Sequence, residues 1–268
     1  VTRRGRELRD FLCRELAARG VTLLEADTDG VYFAVPEAWT EADERRVVAE
    51  VAALLPALVQ LEFEGRYAAM LSHEPKNYAL LTYDGKLLLR GVALRSSRAE
   101  PFANDFLART VGALLRGDVE RVRAEYVATV VKLRERGYST YEVSSRVRLT
   151  KTPDAYAAIR DKRRELTYEA LLASGRTRWG VGERVRVYRT ATGYGGVVRE
   201  YDADEVPPHD ARDYDVTHYL RVLRETYAAR LQRAFAPGDF AAVFADPEQP
   251  SLWSTSLAGV QAVLTPMR

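Results

Sequence analysis

The sequence predicts an α+β fold, and three observations carry that expectation. Short apolar segments rich in strand formers, at 21–26 and 31–35, flank the turn tetrapeptide Asp27-Thr28-Asp29-Gly30. A second such pair, at 76–83 and 86–94, flanks Asp84-Gly85, whose residues tolerate positive φ. Beyond Pro101 the apolar spacing becomes that of helices. A mostly antiparallel sheet with helices is therefore expected up to about residue 97, followed by a mainly helical remainder from 98 to 268.

In order along the chain, Leu8, Leu12 and Leu16 recur at four-residue spacing with Phe11 beside them, and Gly20 follows, which predicts an amphipathic helix with a glycine stop. The first hairpin comes next. Thr40 with Asp43 three positions later resembles a capping box, and Val47, Val48, Val51, Leu54 and Leu55 supply the stripe of the helix it starts. The second hairpin is centred on Asp84-Gly85. Phe106, Leu107, Val111, Leu114 and Leu115 before Gly117, then Val119, Val122, Tyr126, Val130 and Leu133 before Gly137, predict two helices. A helical stretch over 154–173, short strands near 185–188 and 196–198, and a helix near 215–234 complete the expectation.

The 268 residues, 47% hydrophobic and 29% charged, suffice for one large domain or two modest ones and argue against extensive disorder. No apolar run is long enough to span a membrane and the opening ten residues have no apolar core, so a cytoplasmic protein without a membrane partner is expected, nucleoid-associated if its host is prokaryotic. The start at Val1 rather than methionine is consistent with a piece of a longer polypeptide. Cys13 alone allows no internal disulfide or cysteine zinc site, and His73, His209 and His218 form no ligand spacing. Metal chemistry would have to use oxygen ligands. With 40 basic and 38 acidic residues, bulk charge does not announce a nucleic-acid binder.

Asp27 and Asp29 stand two positions apart, so strand geometry carried into the turn points both carboxylates to one side, where they can share a divalent cation. The tetrapeptide alone reads more readily as turn chemistry, and its context is what favours the metal reading. Gly193-Tyr-Gly-Gly196 lacks the strand-to-helix context of a dinucleotide fingerprint and reads as a turn.

Placed between two apolar strands after a helix, Asp27-Thr28-Asp29 resembles the second carboxylate motif of family B DNA polymerases, with Glu25, Ala26 and Gly30 where that family has tyrosine, glycine and serine. The resemblance continues in order. Thr2-Arg3-Arg4-Gly5-Arg6-Glu7-Leu8 looks like the preceding helix start. Lys76-Asn77-Tyr78-Ala79, with Arg90-Gly91-Val92 and Arg95, looks like the strand pair that follows primer–template DNA. Leu149-Thr150-Lys151 with Tyr156 resembles the thumb segment that meets the duplex, followed by Arg160, Lys162, Arg163 and Arg164 on an expected helix, which can neutralise phosphates or simply face solvent. Residues 182–188 and 214–219 look like closing thumb elements.

The resemblance implies the C-terminal part of such an enzyme, with 1–97 as the rest of the palm and 98–268 as the thumb. The family's earlier palm motif and its fingers motif do not occur in the sequence. The implied function is template-directed DNA synthesis, nucleotidyl transfer to a primer 3′-hydroxyl, by an assembly in which this chain is inactive by itself. Asp29 is implied as direct metal ligand and Asp27 as tuning or auxiliary ligand, holding Mg2+ or alternatively Mn2+. Lys76, Tyr78, Thr150, Lys151 and Tyr156 are the implied DNA contacts. The implied partners are primer–template DNA, deoxynucleoside triphosphates, and the N-terminal palm and fingers portion in the same or another chain. A non-catalytic DNA-binding subunit derived from a polymerase is the alternative. A glycosyltransferase with the same aspartates on manganese is disfavoured, because its parallel-sheet nucleotide domain should precede a motif that has only about 26 residues before it.

Overall fold

The computed structural model describes residues 3–27, 30–198, 210–236, 238–248 and 257–267. Helix α1 (Arg3–Ala18) ends at Gly20, whose φ of 88° only glycine adopts cheaply, and leads into antiparallel strands β1 (Thr22–Ala26) and β2 (Val31–Ala34). A bulge at Leu24 shifts the register between Leu23 and Glu25, so that Glu25 pairs with Tyr32. Helix α2 (Glu41–Ala52) starts on the expected reciprocal cap between Thr40 and Asp43. Leu16, Val21, Val47 and Val51 from these elements form one small core.

The next sheet has three antiparallel strands, β3 (Ala69–Glu74), β4 (Asn77–Leu81) and β5 (Leu87–Arg90), in sequence order. The sequence predicted only the last two. Strand β3 escaped because Leu71 is its only fully buried residue and Ser72-His73-Glu74 breaks the apolar alternation, so pairing with β4 is what makes it a strand. Two boundaries also differ from expectation. Lys76 lies in the β3–β4 turn with φ 66°, and β5 stops at Arg90 because Gly91 turns with φ 83°.

The two predicted helices form as α3 (Pro101–Leu114) and α4 (Val119–Arg134) and pack on each other, the first opened by Pro101 and the second capped by the Asp118 carboxylate on the Arg121 N–H. Phe102, Phe106, Leu107, Val111, Val122 and Leu133 are fully buried between them, each large side chain contributing about 1.5–3 kcal/mol. The same core takes in Leu71 and Ala79 from the β3–β5 sheet and Leu94, so apolar packing runs across residues 97 and 98.

Short helix α5 (Thr140–Val143) precedes a third sheet, β6 (Ser145–Arg148), β7 (Arg184–Arg189) and β8 (Gly195–Val198), again antiparallel. The single helix expected over 154–173 is instead α6 (Pro153–Ala157) and α7 (Leu166–Ala173). Residues 160–164 are all charged and offer no apolar face to continue a helix, so Arg160, Lys162, Arg163 and Arg164 lie in the connection. Leu149, Tyr156, Tyr168, Leu171, Trp179, Val185 and Val187 form the core of this unit. The helix expected near 215–234 begins as α8 (Val216–Val222), widens to π winding over Leu223–Tyr227 and tightens to 3-10 over Ala228–Ala234; α9 (Asp239–Val243) follows. The C-terminal segment returns to the first hairpin, where the Met267 N–H donates to the Leu23 carbonyl at 2.6 Å. No helix among the described residues is long and apolar enough to cross a membrane.

Candidate metal and nucleic-acid site

Strand β1 delivers Asp27 to the hairpin tip, where its N–H closes the turn on the Gly30 carbonyl at 2.9 Å. Asp29 and Thr28 lie outside the described residues. The Asp27 carboxylate is 38% exposed and stands 3.2 Å from the Lys76 ammonium. A cleft of about 570 Å³ opens beside it, lined also by Tyr32, Glu62, Glu64 and Tyr78.

Three contacts fix the Lys76 turn against this tip. The Glu25 side chain, 5% exposed, accepts the Ser72 hydroxyl at 2.7 Å and the Lys76 backbone N–H at 2.8 Å, which satisfies a buried carboxylate with two donors. Tyr32 and Tyr78 share a hydrogen bond between hydroxyls at 3.1 Å, with ring centroids 5.1 Å apart, and burial pushes the Tyr32 hydroxyl pKa up. Asn77 accepts the Ala93 N–H at 2.8 Å and donates to the Pro75 carbonyl at 3.1 Å. Gly91 is required here because a Cβ would sit 2.2 Å from the Lys76 carbonyl oxygen.

Thr150 and Lys151 are held in the third sheet's unit. The Tyr168 hydroxyl accepts both of their backbone N–H groups at 3.0 Å, and the Trp179 indole N–H donates to the Lys151 carbonyl at 3.0 Å. Burial raises the Tyr168 pKa, but hydrogen bonds from the Thr150 side chain and these two amides outweigh it and leave the pKa lowered. Thr150 is exposed, whereas the Lys151 ammonium is already paired with Glu165 at 3.0 Å. Tyr156 is 1% exposed: its hydroxyl donates to Glu169 at 2.7 Å and accepts the Glu165 N–H at 3.0 Å. Its position is inside the unit, stacked on Tyr168, rather than on a surface.

The structure thus gathers Asp27, Lys76 and Tyr78 in one place and Thr150, Lys151 and Tyr156 in another. Glu25 and Tyr168 organise the two groups, and sequence reasoning gave neither a role. Glu25 was legible only as a departure from the polymerase motif, and Tyr168 only as an aromatic in a helical segment. Among the described residues no group of three or more histidine, cysteine, aspartate or glutamate side chains forms a metal cluster. Asp27 supplies a hard oxygen donor of the kind Mg2+ and Mn2+ take.

No family model matches the chain. In fold it resembles a family B DNA polymerase: the enzyme from the hyperthermophilic archaeon Pyrobaculum calidifontis superposes with a TM-score of 0.58 at 19% identity, covering 85% of this chain and 28% of that one. In sequence it is similar to parts of two Pyrococcus DNA polymerases. It is 37% identical over 125 residues to a DNA polymerase of Pyrococcus horikoshii, covering 45% of this chain and 10% of the relative. It is also 34% identical over 147 residues to DNA polymerase 1 of Pyrococcus abyssi, covering 53% of this chain and 18% of the relative. The chain is thus similar in sequence to part of these DNA polymerases, and the matches span less than a fifth of the length of these curated relatives.

Proposed function

We propose that this chain forms the rest of the palm, at 1–97, and the thumb, at 98–268, of a DNA-directed DNA polymerase that adds deoxynucleotides to a primer 3′-hydroxyl. The observation that carries the reading is the clamped pair Asp27 and Lys76, 3.2 Å apart, in a chain whose relatives are DNA polymerases. Asp29 is the direct ligand of a divalent cation, Mg2+ or Mn2+, and Asp27 is the auxiliary one, its carboxylate already shared with Lys76. When bound, such ions activate the attacking hydroxyl and stabilise the leaving pyrophosphate. Lys76 holds a primer–template phosphate, Tyr78 contacts the duplex from the start of β4, and Thr150 and Lys151 face the duplex farther from the chemistry. Tyr156 acts from inside, holding the segment that carries Lys151. Deoxynucleoside triphosphates and the second palm carboxylate are met in the N-terminal palm and fingers portion.

Primer extension tests the reading. In the complete polymerase with magnesium and all four deoxynucleotides, Asp29→Ala should lose incorporation by several orders of magnitude and Asp27→Ala should lose less. Near-normal incorporation by a folded Asp29→Ala enzyme would overturn the assignment. The 268-residue chain alone should bind primer–template and extend nothing; templated extension that Asp29→Ala abolishes would show a complete site within it.

A further inference from the structure

The register of the third sheet sets Arg146 opposite Arg186 and Arg148 opposite Arg184. Residues opposite one another on an antiparallel ladder share a face, as do residues two apart, so four guanidinium groups leave the same face. The other face carries Val185 and Val187, 6% and 4% exposed, into the core. Like charges placed directly opposite destabilise a ladder. Elsewhere in this unit that cost is avoided, since Lys151, Arg160, Arg176 and Arg189 each stand beside a carboxylate. None of the four facing arginines has an ion pair with a carboxylate among the described residues. The contacts of two of them are neutral: Arg186 donates to the Ser144 carbonyl at 3.2 Å and lies 4.4 Å over the Tyr141 ring, and Arg148 lies over Gly182.

The face is also continuous with Thr150. Hydrogen bonds of 2.8 Å, from the Leu149 N–H to the Glu183 carbonyl and from the Gly182 N–H to the Leu149 carbonyl, prolong the ladder by one residue. Leu149 is buried and Thr150 exposed, so the outward side runs Arg146, Arg148, Thr150.

We propose that Arg146, Arg148, Arg184 and Arg186 form a binding strip for successive phosphates of a nucleic-acid duplex, extending the grip of Thr150 and Lys151 away from the chemistry. The strip rests on the reading of Thr150 as duplex-facing. Guanidinium forks match phosphate oxygens in two-point geometry, and a row of them binds backbone without reading bases.

The test is anisotropy titration of a blunt duplex, with no primer terminus, nucleotide or divalent ion, against the 268-residue chain and its Arg146→Gln/Arg148→Gln/Arg184→Gln/Arg186→Gln variant at several salt concentrations. Neutralising four phosphate contacts should flatten the log–log salt slope by roughly three to four and weaken binding more than about tenfold at moderate salt. The thermal midpoint should hold or rise, because two like-charge pairs are removed. If the fourfold variant does not fold, Arg148→Gln/Arg184→Gln should give about half the slope change. An unchanged slope and affinity would overturn the strip, as would equally tight binding of poly-glutamate. Primer extension with Asp29→Ala judges the catalytic reading separately, since a blunt duplex and no metal leave Asp29 out of this assay.

Discussion

Glu25, on the strand that leads to Asp27, accepts the backbone N–H of Lys76 at 2.8 Å across 51 positions of sequence. One buried carboxylate therefore registers the metal-hairpin candidate against the turn that carries the DNA-contact candidate. Replacing it by alanine strands the Ser72 hydroxyl and the Lys76 amide, which should cost about 1–3 kcal/mol. Urea denaturation measures this, and Glu25→Gln, which keeps an acceptor, should lose less. Rapid exchange of the Lys76 amide in Glu25→Ala alone would mark the loosened turn; equal midpoints for wild type and Glu25→Ala would deny the carboxylate this part.

Gly91 faces the same turn from just beyond the end of β5. Gly91→Ala combines a φ of 83° with a Cβ 2.2 Å from the Lys76 carbonyl oxygen and 2.8 Å from the Asn77 Cα, neither of which can move away as a flexible side chain would. A loss above about 2 kcal/mol is expected by thermal or urea unfolding. A variant of native stability would mean that the β5 crossover is looser than it is drawn.

Lys76→Ala should weaken primer–template binding about equally for all sequences and flatten the log–log salt dependence by roughly one. Titration at several ionic strengths reads both quantities. An unchanged slope would leave Lys76 as a partner of Asp27 and nothing more.

The Tyr168 hydroxyl serves Thr150 and Lys151 from within the core, the side chain being 3% exposed. Tyr168→Phe preserves the packing and removes only the acceptor, so about 1–3 kcal/mol of stability should go, and duplex affinity with it. Affinity that survives a measured stability loss would show that Thr150 and Lys151 need no such anchoring to bind.

Glu169 sits at 17% exposure between the Arg160 guanidinium and the Tyr156 hydroxyl, which together lower its pKa from 4.5 to about 2. A folded pKa below the unfolded one stabilises the protein above the unfolded value, and this contribution fades as pH falls from about 4.5 toward about 2. Glu169→Gln should therefore flatten the acid limb of stability in that window and lower stability at neutral pH. Parallel acid limbs in the two proteins would show that the group does not carry the dependence.

The sequence by itself determined what neighbouring residues decide: the turn at Asp27 to Gly30, the Thr40 and Asp43 cap, the Pro101 start of α3 and the apolar stripes of α3 and α4. Those signals are local, because turn chemistry, capping and helical period act within a few positions. Tertiary structure alone decided that Ser72 and Lys76 converge on Glu25, that Tyr156 is turned inward, that residues 154–173 break into two helices, and that four arginines from two strands 36 positions apart share one face. Each of these depends on sheet register or on which side of an element meets a core. A β6 register shifted by a single residue would have turned Arg146 and Arg148 inward and Val147 out, and that choice is made by the buried partners across the ladder rather than by the residues beside them.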